Sequence, residues 1–333
     1  MLKTALIGCG GISAVHFDVL KHMDDVQLIA VADIIPERAE AVQGAKPYTD
    51  WKQMLEQERP EVLHICTPHY LHVPMAQKAM AMGIHVLTEK PCAMTLQQLA
   101  DLREAQKNSQ AQLGVCFQNR YNPSSRYLKK VTETKEYGAL LGARAFVTWQ
   151  RGADYFNSAV WRGTLAQEGG GVIINQAIHT VDLIGFLCGE LRAVTAHTGN
   201  DTLQGVIEVE DTAMALLEFA GGRRGLFYAT LAHAEDAPVF VELRFEQAAL
   251  RLEGDNIYLY REDGSVERVL EQQAEQSVGK SYWGSGHRAL IRDFYDCVAE
   301  GRHFEIDAFE GGKAVEAVLS IYESAATNTR CVL

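Results

Sequence analysis

The sequence predicts an α/β protein in two parts, a parallel sheet with helices followed by an α+β part with a mainly antiparallel sheet. Strand and helix patterns alternate at short intervals over the first third of the chain, which is typical of βαβ units with right-handed crossovers. After about Tyr121 the strand patterns follow one another, with tight-turn signals near them. A chain of 333 residues is also too long to fold around one small hydrophobic core, so two domains are expected.

Short apolar runs predict the strands of the first domain, and the segments between them predict its helices. The predicted strands are Lys3–Ile7, Val26–Ala32, Val62–Thr67, Val86–Thr88 and Leu113–Cys116. The predicted helices are Gly11–His22, Glu37–Gln43, Pro74–Met82 and Leu96–Asn108. This alternation indicates a parallel sheet within residues 1–120, the expected first domain.

Alternating apolar residues predict the strands of the second domain, residues 121–333. The strands are Ala139–Gln150, Asp211–Phe219, Gly225–Ala232, Val239–Glu246, Ala249–Glu253 and Asn256–Tyr260, and the helices are Ser124–Thr134, Arg288–Glu300 and Gly312–Ala326. Turn signals at Gly221-Gly222 and Asp263-Gly264 indicate antiparallel pairing. We expect an open sheet with one packed and one partly exposed face, and last helices that are free to pack back on the first domain.

The composition argues against several classes of protein. A formal net charge of −12 would repel a phosphate backbone, so no nucleic-acid binding is expected. No apolar run is long enough to span a membrane. Seven cysteines without a Cys-x-x-Cys pair indicate free thiols, not disulfides or zinc ligands. The first residues run directly into a strand without a leader pattern, so a cytoplasmic location is expected.

A glycine-rich turn joins the first predicted strand to the first predicted helix. In the run Gly8-Cys9-Gly10-Gly11-Ile12-Ser13, the glycines permit a tight turn and a close approach of a pyrophosphate to the helix N-terminus. The third position of this fingerprint is Ser13, which is still small enough for helix–sheet packing. The alternative for the motif alone is a structural turn, because glycine-rich turns after strands are common.

An acidic residue strengthens the interpretation of a dinucleotide site. Asp33 ends the second predicted strand, 23 residues after Gly10, where a carboxylate hydrogen-bonds the adenosine ribose. The same carboxylate would repel a 2′-phosphate, so NAD is expected as the cofactor in preference to NADP. The alternative for Asp33 alone is a residue that enters the helix after Pro36.

Two further strand ends supply candidates for the nicotinamide end of the cofactor. Thr67 and Pro68 could wall the nicotinamide, whereas His69 is assigned to the turn. His72 either lies near the cofactor or simply enters the next helix. Lys90 ends the strand before a proline, at the carboxyl edge where open α/β sheets bind ligands. Its ammonium is therefore expected where a nicotinamide and a substrate meet.

A polar stripe follows the glycines 169–171. Asn175, His179 and Asp182 fall at i, i+4 and i+7, so they share one face of a predicted helix. The opposite side of that helix carries Ile174, Ile178 and Val181. Unpaired burial of the polar stripe would be costly, so we interpret it as a catalytic face that the glycines allow a ligand to approach.

Histidine suits proton transfer near neutral pH. Oxidation of a secondary alcohol needs a nicotinamide near the C–H bond, a base for the hydroxyl proton and a cation for the oxygen. His179 and Lys90 would supply the last two, and Asn175 would position the substrate. Metal binding by His179 and Asp182 is the competing chemistry. Without a third ligand that site is incomplete, so no metal is expected.

Aromatic and forked polar side chains near the domain junction are candidates for substrate binding. They are Gln118, Arg120, Trp149, Trp161 and Arg162, beside Asn175 and Asp182, with Tyr155 and His287 as weaker candidates. Aromatic faces suit a polyhydroxylated ring, and an arginine could take a carboxylate or a phosphate. The alternative is that the tryptophans pack the junction and the arginines balance nearby acids, and for Arg120 and Arg162 both interpretations stay open.

Taken together, these motifs resemble those of the Gfo/Idh/MocA family of oxidoreductases over nearly the whole chain. The matching segments are Gly8–Ser13, Ala30–Asp33, Thr67-Pro68 with His72, Gly83–Pro91 with Glu89-Lys90-Pro91, Gly169–Gly171 with Asn175, His179 and Asp182, and Tyr322–Ala325. The resemblance implies a Rossmann domain, with Glu89 and Lys90 at the cofactor site, and a second domain whose open sheet pairs the chains into dimers or tetramers. It also implies sugar, polyol or nucleotide-sugar substrates.

One position departs from that family. The residue four before the histidine is an aspartate in inositol dehydrogenase-like members and Asn175 here, and an amide cannot stabilise imidazolium by charge. The sequence therefore predicts an NAD-dependent sugar or polyol dehydrogenase with His179 as base and Lys90 as polarising and relay group. A nucleotide-sugar or sugar-acid dehydrogenase is the second hypothesis. A non-catalytic, NAD-binding regulatory protein is the third.

Overall fold

The computed structural model describes residues 1–271 and 286–333. The described residues divide into two compact units. The first unit contains residues 1–118 and 286–312, and the second contains residues 119–271 and 313–333. Each unit is built on a sheet of its own.

Six strands form the sheet of the first unit. They are β1 (Leu2–Ile7), β2 (Val26–Ala32), β3 (Lys46–Tyr48), β4 (Val62–Ile65), β5 (His85–Thr88) and β6 (Leu113–Val115). The order across the sheet is β3-β2-β1-β4-β5-β6, and all neighbouring pairs are parallel. This is the Rossmann order, in which ligands bind beyond the carboxyl ends of the strands where the order reverses, between β1 and β4. The predicted parallel sheet is confirmed.

Six helices belong to the first unit. They are α1 (Ser13–Lys21), α2 (Pro36–Glu40), α3 (Trp51–Glu58), α4 (His72–Ala81), α5 (Leu96–Lys107) and, from the later part of the chain, α9 (Gly286–Glu300). Side chains cap two of them: Asp50 accepts from the Lys52 amide at 2.8 Å, and Thr95 accepts from the Gln98 amide at 3.1 Å. Such oxygens satisfy amides that the first helical turn leaves without intrahelical partners.

Nine strands form the sheet of the second unit. They are β7 (Leu140–Thr148), β8 (Leu191–Gly199), β9 (Thr212–Phe219), β10 (Arg224–Thr230), β11 (Phe240–Phe245), β12 (Ala248–Glu253), β13 (Asn256–Arg261), β14 (Val266–Leu270) and β15 (Cys331–Val332). The order is β14-β13-β12-β11-β7-β10-β9-β8-β15. The expected mainly antiparallel sheet is confirmed, with one difference: β7 and β10 pair in parallel.

The second unit also contains the helices that carry the candidate chemistry. They are α6 (Pro123–Thr134), α7 (Ala153–Asn157), α8 (Ile178–Cys188) and α10 (Gly312–Thr327), and a π-helical turn, Ile173–Ala177, leads directly into α8. Burial alternates along β9, as expected for a sheet with one packed face. Among the described residues, no helix combines the length and apolar character that crossing a membrane requires.

Candidate functional site

The glycine-rich turn of the first unit contains two kinds of glycine. Gly8 has φ +91°, and a Cβ atom there would lie 2.6 Å from the carbonyl oxygen of Cys66, so the chain itself requires glycine. A Cβ atom on Gly10 or Gly11 would have nothing within 4 Å. Half-buried Ile12 then precedes α1. The turn therefore leaves open space at the start of that helix, as a pyrophosphate site needs.

Asp33 is buried at the end of β2, and its carboxylate organises the turn. Oδ2 accepts a hydrogen bond from the Cys9 amide at 2.8 Å, and Oδ1 accepts one from the Ile35 amide at 2.9 Å. A carboxylate has about four acceptor positions, so about two remain for ribose hydroxyls. The residues present fit the adenosine end of a dinucleotide.

His72 connects the ends of two strands. Thr67 and Pro68 follow β4 and are half-buried, whereas His72 begins α4 and is 1% exposed. Its ring nitrogens lie 2.7 Å from the Pro91 carbonyl oxygen and 2.8 Å from the Thr67 carbonyl oxygen. Burial lowers the pKa of His72, although the two carbonyls oppose that shift. His72 thus begins the helix and also fixes both backbone segments of the expected nicotinamide end.

Lys90 is half-buried after β5, and the Glu89 side chain before it is buried. Glu89 Oε1 lies 3.0 Å from His16 Nε2, and its Oε2 accepts a hydrogen bond from the Lys90 amide at 3.3 Å. Burial alone would raise the pKa of Glu89. The hydrogen bond from His16 and the charges of His16, His287 and Lys90 outweigh burial and hold this pKa well below its usual range. Glu89 is therefore a buried carboxylate that remains ionised.

In the second unit, two candidate residues stand out by exposure. From residue 170 to residue 184 every side chain is buried except those of Asn175 and His179, which are partly exposed. Asn175 lies in the π-helical turn and His179 in the first turn of α8. A π-helical turn widens the backbone spiral and is frequent at functional sites. Asn175 and His179 were expected to share one face of a helix, and they are the two residues of this stretch that reach the surface.

The glycines before this turn are packed against protein atoms, which differs from the expected role of admitting a ligand. A Cβ atom on Gly171 would lie 1.8 Å from the Glu210 carbonyl oxygen, and one on Gly170 would lie 2.1 Å from the Tyr322 hydroxyl. The Glu210 carboxylate accepts from the amides of Gly171 at 2.9 Å and Ile173 at 3.0 Å. Burial raises the pKa of Glu210, against the effect of these donors. The glycines let Glu210 satisfy the start of the helical stretch.

Asn175 has a carboxylate partner. Its Nδ2 donates a hydrogen bond to Oε1 of Glu168, which is 1% exposed and also accepts from the Gly163 amide. A carboxylate only accepts, so the Asn175 amide must present its NH₂ group to Glu168. Its carbonyl oxygen is thereby fixed as the acceptor on the other side. Glu168 therefore places a buried carboxylate beside Asn175.

Asp182, the third residue of the expected polar face, is buried in an ion pair. Arg120 Nη2 lies 2.6 Å from Asp182 Oδ1, and Arg120 Nε lies 2.8 Å from Asp182 Oδ2. The guanidinium also stacks 5.0 Å from the ring centroid of Phe186. This bidentate geometry supports the structural interpretation of Arg120 and Asp182.

The remaining substrate candidates fall into two groups. Gln118 and Trp149 are 2% and 6% exposed, and Trp149 Nε1 donates to the Ala237 carbonyl at 3.1 Å, which supports packing roles. Arg162 and Trp161 are half-buried. The Arg162 guanidinium lies 4.2 Å from the ring centroid of Tyr155 and 4.8 Å from that of Trp161, and it donates to the Tyr155 hydroxyl.

Comparison with known proteins gives this geometry a context. The family model described as "Oxidoreductase family, NAD-binding Rossmann fold" matches residues 2–117, and the GFO/IDH/MocA C-terminal domain matches residues 125–251. The WlbA dehydrogenase of Chromobacterium violaceum, solved with NADH and UDP-GlcNAcA, is 30% identical with a TM-score of 0.88 over 100% of this chain and 96% of that one. The chain belongs to the Gfo/Idh/MocA family.

Two curated members of the Gfo/Idh/MocA family are also similar to this chain. The levoglucosan dehydrogenase of Pseudarthrobacter phenanthrenivorans is 26% identical over 322 residues, which cover 84% of this chain and 81% of that protein. The D-glucoside 3-dehydrogenase of Escherichia coli is 25% identical and covers 100% of this chain and 97% of its own. The family resemblance expected from the motifs is confirmed.

Sequence reasoning missed several residues that organise this Gfo/Idh/MocA member. Glu168 accepts a hydrogen bond from Asn175, and Glu210 accepts one from the Ile173 amide in the same helical stretch. His16 is hydrogen-bonded to Glu89. His64 extends the contacts of His16. One signal was available: a histidine inside an otherwise apolar strand, as His64 is in β4, needs a buried polar partner.

Proposed function

We propose that this chain is an NAD-dependent dehydrogenase that oxidises a secondary hydroxyl of a sugar or polyol, with the reverse reduction open to the same residues. The observation that carries the proposal is the exposure pattern of residues 170–184, where only Asn175 and His179 are not buried. A histidine and an amide reaching the surface from a buried helix are suited to taking a hydroxyl proton and holding a hydroxyl group. The levoglucosan and glucoside dehydrogenases among the relatives support the same chemistry.

Each residue has a proposed role. His179 takes the proton of the hydroxyl that is oxidised. Asn175 accepts a hydrogen bond from the substrate through its carbonyl oxygen, since its NH₂ group donates to Glu168. Lys90 polarises the reacting oxygen and helps to relay the proton. NAD, when bound, accepts the hydride.

We assign NAD rather than NADP as the preferred cofactor on the basis of Asp33. Its carboxylate at the end of β2 would repel a 2′-phosphate. Asp33→Ala should therefore reduce the ratio of NAD to NADP affinity, measured by titrating each reduced cofactor into the protein. An unchanged ratio would remove Asp33 from the ribose site.

A nucleotide-sugar or sugar-acid substrate is the second candidate, and Arg162 favours it. Within residues 1–271 and 286–333, Arg162 has no carboxylate partner, and its buried Nε has no hydrogen-bond acceptor. A guanidinium in that state suits a carboxylate or phosphate of a ligand. The WlbA relative was solved with the nucleotide sugar UDP-GlcNAcA. Arg162→Gln should weaken turnover of acidic sugars more than that of neutral ones, and equal losses would exclude this role.

We also propose that two copies pair through the exposed face of the second sheet, into a dimer or a tetramer. Met214 and Leu216 of β9 are 48% and 42% exposed, and Leu226 of β10 is 48% exposed. Neighbouring exposed apolar side chains on adjacent strands are typical of a binding surface. Light scattering should show that Leu216→Lys lowers the molar mass in solution.

We also propose a reducing compartment such as the cytoplasm as the location of the protein. All seven cysteines are described by the structure, and each is in the thiol form, which supports that location.

The test of the proposed chemistry is Lys90→Met with Lys78→Met as the matched control. Lys78 belongs to α4 in the same unit, and its side chain is 42% exposed. Lys90→Met should abolish turnover and leave NAD affinity within a few-fold, whereas Lys78→Met should leave both unchanged. Collapse of NAD binding in Lys90→Met would contradict the role given to Lys90.

A further inference from the structure

Five polar side chains form a continuous hydrogen-bonded chain through the interior of the Rossmann unit. Thr4 Oγ1 lies 2.7 Å from the Tyr295 hydroxyl, which lies 2.9 Å from His64 Nε2. His64 Nδ1 lies 2.7 Å from His16 Nδ1, and His16 Nε2 lies 3.0 Å from Glu89 Oε1. Four of these residues are 0% exposed and Glu89 is 5% exposed. We call this set the Glu89 chain.

One donor of the Glu89 chain is the same in every arrangement of its protons. Burial keeps Tyr295 protonated, because it raises the pKa of the phenol, and keeps His64 neutral, because it lowers the pKa of the imidazole. Neutral His64 donates one hydrogen bond, either to His16 Nδ1 or to the Tyr295 hydroxyl. It accepts a hydrogen bond from the other of these two groups. As long as Glu89 is ionised, both arrangements leave a proton on His16 Nε2 that is donated to Glu89.

Glu89 accepts from one further donor besides His16. The Lys90 amide donates to its Oε2 at 3.3 Å, and Cys116 Sγ lies within 4.8 Å of a carboxylate oxygen. Hydrogen-bond donors on a buried carboxylate favour its ionised form. The negative charge beside Lys90 favours the ammonium form of that lysine.

We propose that Glu89 is a positioning residue for Lys90, and that the Glu89 chain exists to hold it as an oriented anion. This inference rests on the proposed function only in giving Lys90 a reaction to serve. The carboxylate fixes the Lys90 peptide through its amide. Glu89 is 5% exposed, so it acts through Lys90 and not on the substrate.

Glutamine cannot replace Glu89 without breaking this arrangement. With its carbonyl oxygen towards His16, the amide NH₂ would face the Lys90 amide, and two donors would oppose each other. With its NH₂ towards His16, the proton on His16 Nε2 would have to leave, and His16 would have to donate to His64 through Nδ1 instead. Glu89→Gln therefore changes the position of Lys90 with almost no change in volume.

A metal ion is the rival occupant of this cluster. His16, Glu89 and Cys116 each offer a ligand atom, and these atoms lie within 4.8 Å of one another. Burial and the Glu89 carboxylate raise the pKa of the Cys116 thiol well above its usual value, which disfavours the thiolate that a metal would bind. Stoichiometric zinc found by elemental analysis in the purified protein would replace the hydrogen bonds by coordination and overturn the proposal.

Kinetics of four variants test the positioning role. Glu89→Gln and His16→Leu should each lower kcat by about 100-fold, the cost of misplacing a reacting group by about 1 Å. KM and the NADH dissociation constant should change by less than about threefold, because only kcat depends on the placement of Lys90. His16→Gln keeps an amide donor and should recover most of the loss. Glu242→Gln removes a carboxylate paired with Arg144 on the second sheet and should leave kcat unchanged.

Two kinetic results would overturn the proposal. One is a kcat of Glu89→Gln within about threefold of the original, since misplacement costs far more. The other is an equal loss in His16→Leu and His16→Gln, which would make the ring shape, not the donor, the important feature.

A second readout does not depend on turnover. Long-range ¹H–¹⁵N correlation on histidine-labelled protein distinguishes protonated from unprotonated ring nitrogens, and loss of one ring signal in His16→Gln assigns His16. A proton on His16 Nε2 supports the proposal, and a bare Nε2 contradicts it. Because this spectrum is independent of any substrate, failure of the proposed dehydrogenase activity would leave this test intact.

Discussion

Replacing Asn175 by aspartate should destabilise the second unit at neutral pH, although the two side chains are nearly the same size. Asn175 donates to the carboxylate of Glu168, which is 1% exposed. An aspartate would place two carboxylate oxygens against each other where the amide now donates. Two carboxylates in such contact cannot both ionise, so one of them must take up a proton.

The loss of stability in Asn175→Asp depends on the pH. A carboxyl group with an unfolded pKa of about 3.9 must be kept protonated, which costs about 4 kcal/mol at pH 7 and about 1.5 kcal/mol at pH 5. The folded state then binds more protons than the unfolded state, so the free energy of unfolding falls as the pH rises through this window. These values are upper limits, because Asn175 is partly exposed.

Urea denaturation at pH 5 and pH 7 measures this effect. Asn175→Asp should lose stability relative to the original protein, and the loss should be larger at pH 7. The double variant Glu168→Gln with Asn175→Asp again pairs one amide with one carboxylate, and it should recover most of the stability. Equal stability of Asn175→Asp and the original protein at both pH values would refute the reasoning.

Three further changes have definite expected outcomes. Asp182→Asn leaves the Arg120 guanidinium buried without its charge partner and should cost about 3–5 kcal/mol in urea denaturation. Burial lowers the pKa of His287 to about 4, whereas the unfolded residue titrates near 6.5, so the unfolded chain binds more protons between these values. Acidification through that window should therefore remove up to about 3 kcal/mol of stability, a loss that His287→Gln should lack. Gly171→Ala should prevent folding, because its Cβ atom would lie 1.8 Å from a backbone oxygen, whereas Gly185→Ala meets nothing within 4 Å and should fold.

The controls for these changes come from the same chain. Glu267→Gln breaks an exposed pair with Arg261 and should cost less than about 1 kcal/mol, so a similar loss in Asp182→Asn would contradict a special role for the buried pair. Parallel pH profiles of the original protein and His287→Gln would show that His287 does not titrate as described. A circular dichroism spectrum of Gly171→Ala that matches the original protein would exclude the expected clash.

The fully buried strands of the Rossmann sheet could be predicted from the sequence alone. β4 is an uninterrupted apolar run except for His64, and such runs between turn residues predict strands well. β3 was missed because it has three residues, one of them a proline, and two of them are exposed. Its pairing with β2 is decided by tertiary contact, which local pattern does not record.

The sequence predicted which residues belong to the candidate site, but it did not predict which other residues they contact. Helical spacing placed Asn175 and His179 together, and both reach the surface. The same spacing could not show that Asp182 turns to Arg120, 62 residues away in the chain, or that His16 meets Glu89 across 73 residues. Partners at such separations are brought together by the fold, so a periodic pattern identifies one half of each pair only.

The most direct test of the central claim is cofactor reduction by the purified protein with a panel of sugars, polyols, sugar acids and nucleotide sugars. Formation of NADH with one of these classes, faster than formation of NADPH and lost in His179→Ala, is the result that the proposed dehydrogenase predicts. Tight NAD binding without reduction by any member of the panel would contradict it and favour a regulatory protein that binds the dinucleotide.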